Sequence, residues 1–150
     1  MGKFKAKIKK TPAKALRDLK KIEANMSGPD RVRVGLPKGS NAYPDGTSVI
    51  MVGSVHEFGS PSRGIPQRSY LRSTLIENRR KYKKVLKNLA EKMLDGKLDR
   101  KEAMGLLGLR VQTDVREKIT DLQAPPLVSR EGNPLVDTGH LRQSINFEVK

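Results

Sequence analysis

The chain ends on a strict alternation of polar and apolar side chains that runs from Ser144 to Val149. A period of two residues predicts a β-strand with one buried face. Such a strand is not stable alone, because its backbone needs a partner strand and its apolar face needs a covering layer. Residues 31–36 alternate in the same way and provide a partner. Residues 3–9 alternate too, and their pattern fits either a third strand or a basic arm without fixed structure.

Helical spacing of apolar residues recurs four times, at about residues 12–26, 48–58, 69–94 and 99–122. The residues at the expected starts support this prediction, since Pro12 suits a first helical position and Ser69 and Asp99 suit N-caps. The second segment is rich in β-branched residues and would also suit a buried strand, but its apolar residues share a helical face and we expect a helix.

Together these elements predict an α+β fold, in which helices cover the apolar face of a small, mostly antiparallel sheet. The length of 150 residues suits a single domain, 1–150, with a basic segment at residues 1–10. The last long helix contains Gly105 and Gly108, which are expected to permit close packing. The final strand is expected to complete the core with its three apolar residues, Ile145, Phe147 and Val149.

The composition is strongly basic, because 31 Lys and Arg against 16 Asp and Glu give a formal net charge of +15. A field of this sign attracts nucleic acid or an acidic protein surface. Cations crowd the polar side of the long helix predicted at 69–94, and the candidates to face DNA are Arg72, Arg79, Arg80, Lys83, Lys84 and Lys87. With three Phe, three Tyr and no Trp, the chain has little aromatic surface for stacking single-stranded bases. We therefore expect contact with the duplex backbone without sequence reading; the ordinary alternative is a solvated helix face.

The residue patterns do not indicate a catalytic, cofactor-binding or metal site. The sequence has no Cys, and His56-Glu57 lacks the second His that a zinc helix carries four residues after the first, since that position is Ser60. The glycines do not form the spaced runs that bind phosphate in nucleotide sites. Apolar runs are much shorter than a membrane span. We therefore expect a protein without enzyme activity, cofactor, metal or membrane contact.

Three stretches of the sequence resemble, in order and approximate spacing, the neck and tail-completion proteins of tailed bacteriophages. This is the broad family of head-tail joining, minor tail and virion-morphogenesis proteins. The stretches are VHEFGS at 55–60 (motif 1), IPQRSYLRSTL at 65–75 (motif 2) and NPLVDTGHLRQSI at 133–145 (motif 3). Motif 3 is the most specific, and the resemblance spans about residues 49–149. Motif 2 departs from the family pattern, which often has proline where Ser69 stands and Phe where Tyr70 stands, and this bears on the subfamily.

The resemblance implies a structural, non-enzymatic virion protein that works at the junction of head and tail. It implies a ring of copies, hexameric by the usual symmetry of tails, around a channel that holds duplex DNA. The implied partners are head-closure or connector proteins and tail terminator or tube proteins. The implied location is the virion, and the host cytoplasm during assembly. The runner-up function is a nucleic-acid-binding architectural protein without sequence specificity, which explains the charge but not the three motifs.

The resemblance also assigns roles within the motifs. Motif 1 would end a helix in a tight turn, the two arginines of motif 2 would set the start of the long helix, and motif 3 would form the turn before the final strand. Gly59 and Gly139 are expected to adopt positive φ. Thr138 is expected to cap the short helical turn at residues 139–143. These residues either hold the fold or contact neighbouring ring subunits, and both roles stay open. The marked residues are Glu57, Phe58, Gly59, Arg68, Leu71, Arg72, Asp137, Thr138, Gly139, Leu141 and Ser144.

Overall fold

The structure is a computed structural model that describes residues 12–40, 42–122, 124–125, 135 and 139–150. Helices dominate the described part of the chain, and the α+β prediction is confirmed. The strand predicted at residues 3–9 lies outside the described residues. The elements are α1 (Pro12–Met26), β1 (Val32–Gly35), α2 (Val49–Phe58), α3 (Leu71–Glu77), α4 (Arg79–Leu94), α5 (Arg100–Asp121), α6 (His140–Ser144) and β2 (Asn146–Val149), with a 3-10 turn at Pro61–Arg63.

The two described strands pair antiparallel, so that a segment near the start of the chain meets its last residues. Val32 lies opposite Val149, and Val34 lies opposite Phe147. These four apolar side chains share one face, which packs on α5, whereas the intervening Arg33 points to the other face. The partnership of the two alternating segments is therefore confirmed.

The longest helix, α5, begins at the cap that the sequence predicts. The Asp99 carboxylate accepts a hydrogen bond from the backbone N–H of Glu102 at 2.8 Å, and the Glu102 carboxylate accepts one from the backbone N–H of Asp99 at 2.9 Å. This reciprocal arrangement satisfies two of the backbone donors that a helix start leaves open. One turn into the helix, Gly105 has open space around its Cβ position, so its predicted packing role is wrong. At Gly108 a Cβ would overlap the ring of Phe147, so the sheet approaches α5 closely there.

The main core lies where α2, α5 and α6 meet the start of α3. Its fully buried residues are Val49, Tyr70, Val115, Ile119, Leu135, Leu141 and Ile145. The residue that anchors the end of the chain is Ile145, with no exposed surface, whereas Phe147 and Val149 are half-buried. A second cluster, formed by Leu89, Met93 and Ala103, holds α4 against α5.

The single helix predicted at 69–94 is two helices, α3 and α4, that meet at Asn78. This residue has a φ of −94° and a ψ of 7°, outside the helical range. Its side-chain Nδ2 donates to the carbonyl of Thr74 at 3.0 Å, the same carbonyl that its backbone N–H uses. An asparagine side chain that bonds nearby backbone competes with the regular helical bonds. The predicted helix is thus interrupted at Asn78, and α3 and α4 are separate elements.

Candidate nucleic-acid interface

The carboxylate of Glu57, in the last turn of α2, joins motif 1 to motif 2. The residue is only 3% exposed. The start of a helix leaves backbone N–H groups without partners and favours negative charge. Glu57 therefore caps α3 from another helix. Ser69, the cap predicted from the sequence, contributes as well, because its hydroxyl accepts a hydrogen bond from the backbone N–H of Ser73 at 3.3 Å. The Glu57 carboxylate accepts hydrogen bonds from the backbone N–H groups of Tyr70 (2.8 Å), Leu71 (2.8 Å) and Arg72 (3.2 Å) and from the hydroxyl of Ser69 (2.8 Å).

The ionisation of Glu57 follows from this environment. Burial alone would raise the pKa of its carboxyl group, because the charged form loses solvation. The hydrogen bonds from Leu71, Ser69, Tyr70 and Arg72 more than offset that effect, so the pKa lies below its ordinary value. The carboxylate is thus charged at neutral pH, as its capping role requires.

The Arg72 side chain contacts Glu57 and Phe58. Its Nε lies 3.0 Å from a carboxylate oxygen of Glu57, and a terminal nitrogen donates to the Glu57 carbonyl at 3.2 Å. The guanidinium carbon lies 4.8 Å from the centre of the Phe58 ring, so the cation also stacks on an aromatic face. Arg72 is therefore set apart from the other five cations predicted to face DNA, and its placement is structural.

The turn after α2 brings motif 2 back to motif 1. Gly59 has a φ of 76°, the left-handed backbone expected for it, and a Cβ there would lie 2.9 Å from the backbone nitrogen of Gln67. The backbone N–H of Arg68 donates to the carbonyl of His56 at 2.7 Å. The returning chain thus crosses the end of α2 so closely that a larger residue would push it away from Glu57.

Arg68 of motif 2 is buried, with 3% of its surface exposed. Its Nε donates to the carbonyl of Pro125 at 2.7 Å, which ties the start of α3 to the segment that follows α5. Burial and the nearby Arg68 charge both lower the pKa of His56, so this imidazole is neutral at neutral pH. Arg68 thus holds the fold together from a buried position, whereas His56 is half-buried.

Motif 3 joins the same core from the other end of the chain. Gly139 has a φ of 73°, as expected, and it precedes α6. Leu141 is buried, and the space at Gly53 of α2 is filled by Leu36, Tyr70 and Leu141. The Ser144 hydroxyl donates to the carbonyl of His140 at 2.9 Å within α6. Asp137 and Thr138, with the predicted cap, lie outside the described residues.

The polar side of α4 carries a row of five cations. All five are exposed, and within the described part of the chain none of them has an acidic group within 4.0 Å. α4 contains one acid, Glu91. Lys81, on another side of the helix, pairs with the buried Asp114 at 2.8 Å. The row is spaced so that its members fall on one side of the helix. It consists of Arg79, Arg80, Lys83, Lys84 and Lys87, and we name it the α4 cation row.

The described residues hold no group of three or more His, Cys, Asp or Glu side chains that could bind a metal ion. A membrane-spanning helix, long and apolar, is likewise absent from the part of the chain that the structure describes. Comparison with models of known families, with curated proteins and with solved structures finds no match for this chain.

The sequence pattern found the α4 cation row but missed the Glu57 cap. The row is visible because residues 79–87 contain six cations, of which five fall on one side of the helix. Glu57 lies 14 positions before Leu71, and helix caps are recognised from residues next to the helix. The one available signal was a Glu near the end of an apolar helix, where a negative charge is not favoured by the helix dipole.

Proposed function

We propose that this chain is a structural protein of the neck of a tailed phage. Copies of it would form a ring at the junction of head and tail and surround the DNA that passes between them. In this ring the α4 cation row faces the channel and contacts the phosphate backbone. The resemblance of the three motifs and the exposed α4 cation row both support this role.

The observation that carries the proposal is the set of five exposed cations of the α4 cation row. Their backbone positions span about 12 Å of helix, since each helical residue advances about 1.5 Å. Duplex DNA carries about one negative charge per 1.7 Å of its axis, so the row meets several phosphates at once. Cations already paired with carboxylates would be poor phosphate ligands, and within the described residues these are unpaired. A row of this kind holds the backbone of any sequence, which is what a DNA channel requires.

The packing of the motifs supports the same function by assigning them to the fold. Glu57 of motif 1 caps the helix of motif 2, and Leu141 of motif 3 packs on the Tyr70 that begins that helix. The described parts of the three motifs thus surround one core. This arrangement is the one expected of a structural subunit, and it leaves the charged surface as the functional part.

Binding to duplex DNA tests the proposed role of the α4 cation row. The variant carries Arg79→Glu, Lys83→Glu and Lys87→Glu, and the matched control carries Lys14→Glu, Arg17→Glu and Lys20→Glu on α1, whose side chains are also exposed. Both variants change the net charge equally. Wild-type affinity should be the same for unrelated sequences and should fall steeply with salt.

The α4 variant should lose affinity at every sequence, and the slope of log affinity against log salt should decrease by about 3, or about one per phosphate contact removed. The α1 control should retain most of that slope. Equal losses in the two variants would show that net charge alone drives binding, and an unchanged α4 variant would remove the row from the interface.

A further inference from the structure

One edge of β1 is free for pairing within the described part of the chain. Arg31 and Lys150 exchange two backbone hydrogen bonds, each of 2.9 Å, just before β1 and just after β2. Hydrogen-bonded and non-hydrogen-bonded residue pairs alternate along an antiparallel ladder. Arg33 and Glu148, two positions further along, are therefore also a hydrogen-bonded pair. The backbone N–H and C=O groups of Val32 and Val34 therefore point away from β2. Among the described residues these groups have no hydrogen-bond partner.

An apolar groove of about 430 Å³ lies beside this free edge. Its floor is α5 and its far wall is formed by α3 and α4. Leu75, on that wall, is 58% exposed and has no apolar cover. The groove and the unpaired edge together have the form that receives an added β-strand, since the edge supplies backbone bonds and the groove supplies sites for alternate side chains. The principal apolar residues are Val34, Leu71, Leu75, Leu86, Leu107 and Val111.

We propose that this groove receives residues 3–9 of a neighbouring copy, which add to β1 as a third strand. The inference rests on the proposed function, in which copies of the chain join. In this segment Phe4, Ala6 and Ile8 recur at a period of two, so they would enter the groove together while the lysines between them face outward.

The structure of α1 favours donation to a neighbour. Only Lys10 and Thr11 separate the segment from α1, so the helix carries it. α1 has no buried residue, and its Leu16 and Leu19 are 56% and 62% exposed. α1 packs against α4, and at its C-terminal end the Met26 carbonyl accepts a hydrogen bond from the Arg100 side chain at 2.9 Å. The exposed Leu16 and Leu19 of α1 gain apolar contact when the helix also lies against a second subunit.

Donor arm and acceptor groove are different surfaces of the same chain. An interface of this head-to-tail kind repeats from copy to copy and closes into a ring when the rotation permits. The added lysines would lie beside Arg33 on the outward face of the sheet, and like charges opposite each other weaken strand pairing. Salt or a polyanion screens that repulsion, so strand addition should be favoured when DNA is bound.

Cysteine cross-linking tests this inference directly, because the natural chain has no Cys. One variant carries Ile8→Cys and a second, distinguishable by an affinity tag, carries Leu75→Cys. The two are mixed with a duplex DNA fragment and oxidised, and the products are separated on a non-reducing gel. The matched control replaces Leu75→Cys with Leu109→Cys, since Leu109 is similarly exposed, at 53%, but lies outside the groove.

The expected product is a disulfide-linked dimer of the Ile8→Cys and Leu75→Cys chains, several times more abundant than the dimer formed with Leu109→Cys. A double variant with both cysteines in one chain distinguishes a strand donated by a neighbouring copy from a strand that pairs within its own subunit. If it forms only an intramolecular disulfide and the mixed variants do not link, the segment pairs within its own subunit and the inference is wrong. Equal linking to Leu75→Cys and Leu109→Cys, or none to either, would also overturn it. Because DNA binding by the α4 cation row is measured separately, such a result would leave the proposed function standing.

Discussion

The carboxylate of Glu57, at the end of α2, accepts a hydrogen bond of 2.8 Å from the backbone N–H of Leu71, the first residue of α3. This bond joins motif 1 to motif 2 across 14 positions of sequence. It also fixes where α3 starts, and through α3 the position of α4 with its cations. The geometry of the charged surface therefore depends on a buried carboxylate that never contacts a ligand.

Replacing this carboxylate by an amide tests that dependence. The substitution Glu57→Gln keeps the shape of the side chain but removes the charge, and it directs an N–H₂ group at backbone donors. We expect the free energy of unfolding at neutral pH to fall by about 1.5–3 kcal/mol, the range for hydrogen bonds to charged groups. Chemical denaturation measures it. The control Glu91→Gln, on an exposed part of α4, should change it by less than about 0.5 kcal/mol.

The same pair of proteins should show a pH dependence of known sign. The pKa of Glu57 is lower in the folded chain than its ordinary 4.5. The stabilisation is therefore complete above about pH 4.5 and is lost as the pH falls through the folded pKa. The difference in unfolding free energy between wild type and Glu57→Gln should shrink over that acidic range. A difference that stays constant into acid would show that the charge of Glu57 does not stabilise the fold.

The two glycines of α5 should respond in opposite directions to alanine. At Gly108 the new methyl group would overlap the ring of Phe147, and overpacking of this kind costs about 1–3 kcal/mol. At Gly105 the same group meets open space, and removing the glycine from a helix should stabilise by about 0.5–1 kcal/mol. Thermal unfolding of Gly108→Ala and Gly105→Ala measures both. Destabilisation of equal size at the two positions would contradict the close approach of β2 to α5.

The end of the chain should be held mainly by one residue. Ile145 has no exposed surface, so Ile145→Ala should cost about 2–5 kcal/mol. This is a large part of the total stability of about 5–15 kcal/mol that single domains have. Val149→Ala, at a half-buried position, should cost clearly less. Denaturant titrations that rank the two variants in the reverse order would show that β2, and not the buried Ile145 before it, secures the terminus.

Local patterns in the sequence predicted most of the fold. Pro12 and Asp99 lie at the starts of α1 and α5 because helix starts depend on residues within one turn. The break at Asn78 was missed, because the apolar stripe continues across it and the competing bond of its side chain to Thr74 depends on geometry. The cap by Glu57 was missed because it joins residues from two helices. Long-range contacts of this kind have no periodic signal.

The same distinction between local and long-range contacts applies to the six cations predicted to face DNA. The five members of the α4 cation row share one short helix, so spacing alone placed them on one surface. Arg72 was grouped with them because the apolar spacing predicted one continuous helix at residues 69–94. In the structure α3 and α4 are separate, and Arg72 turns to Glu57 and Phe58. Residues on one element are thus predicted well, and residues that depend on the angle between two elements are not.

The measurement that tests the neck function most directly is electron microscopy of phage particles made without a functional copy of this chain. Deleting residues 145–150 removes Ile145 and β2, so the subunit should fail to fold and to join the particle. Lysates examined by negative stain should then contain DNA-filled heads and complete, unattached tails, and supplying the intact chain should restore whole virions. Normal infectious virions in the deletion lysate would contradict a joining function, and empty heads without tails would place the protein at an earlier step of assembly.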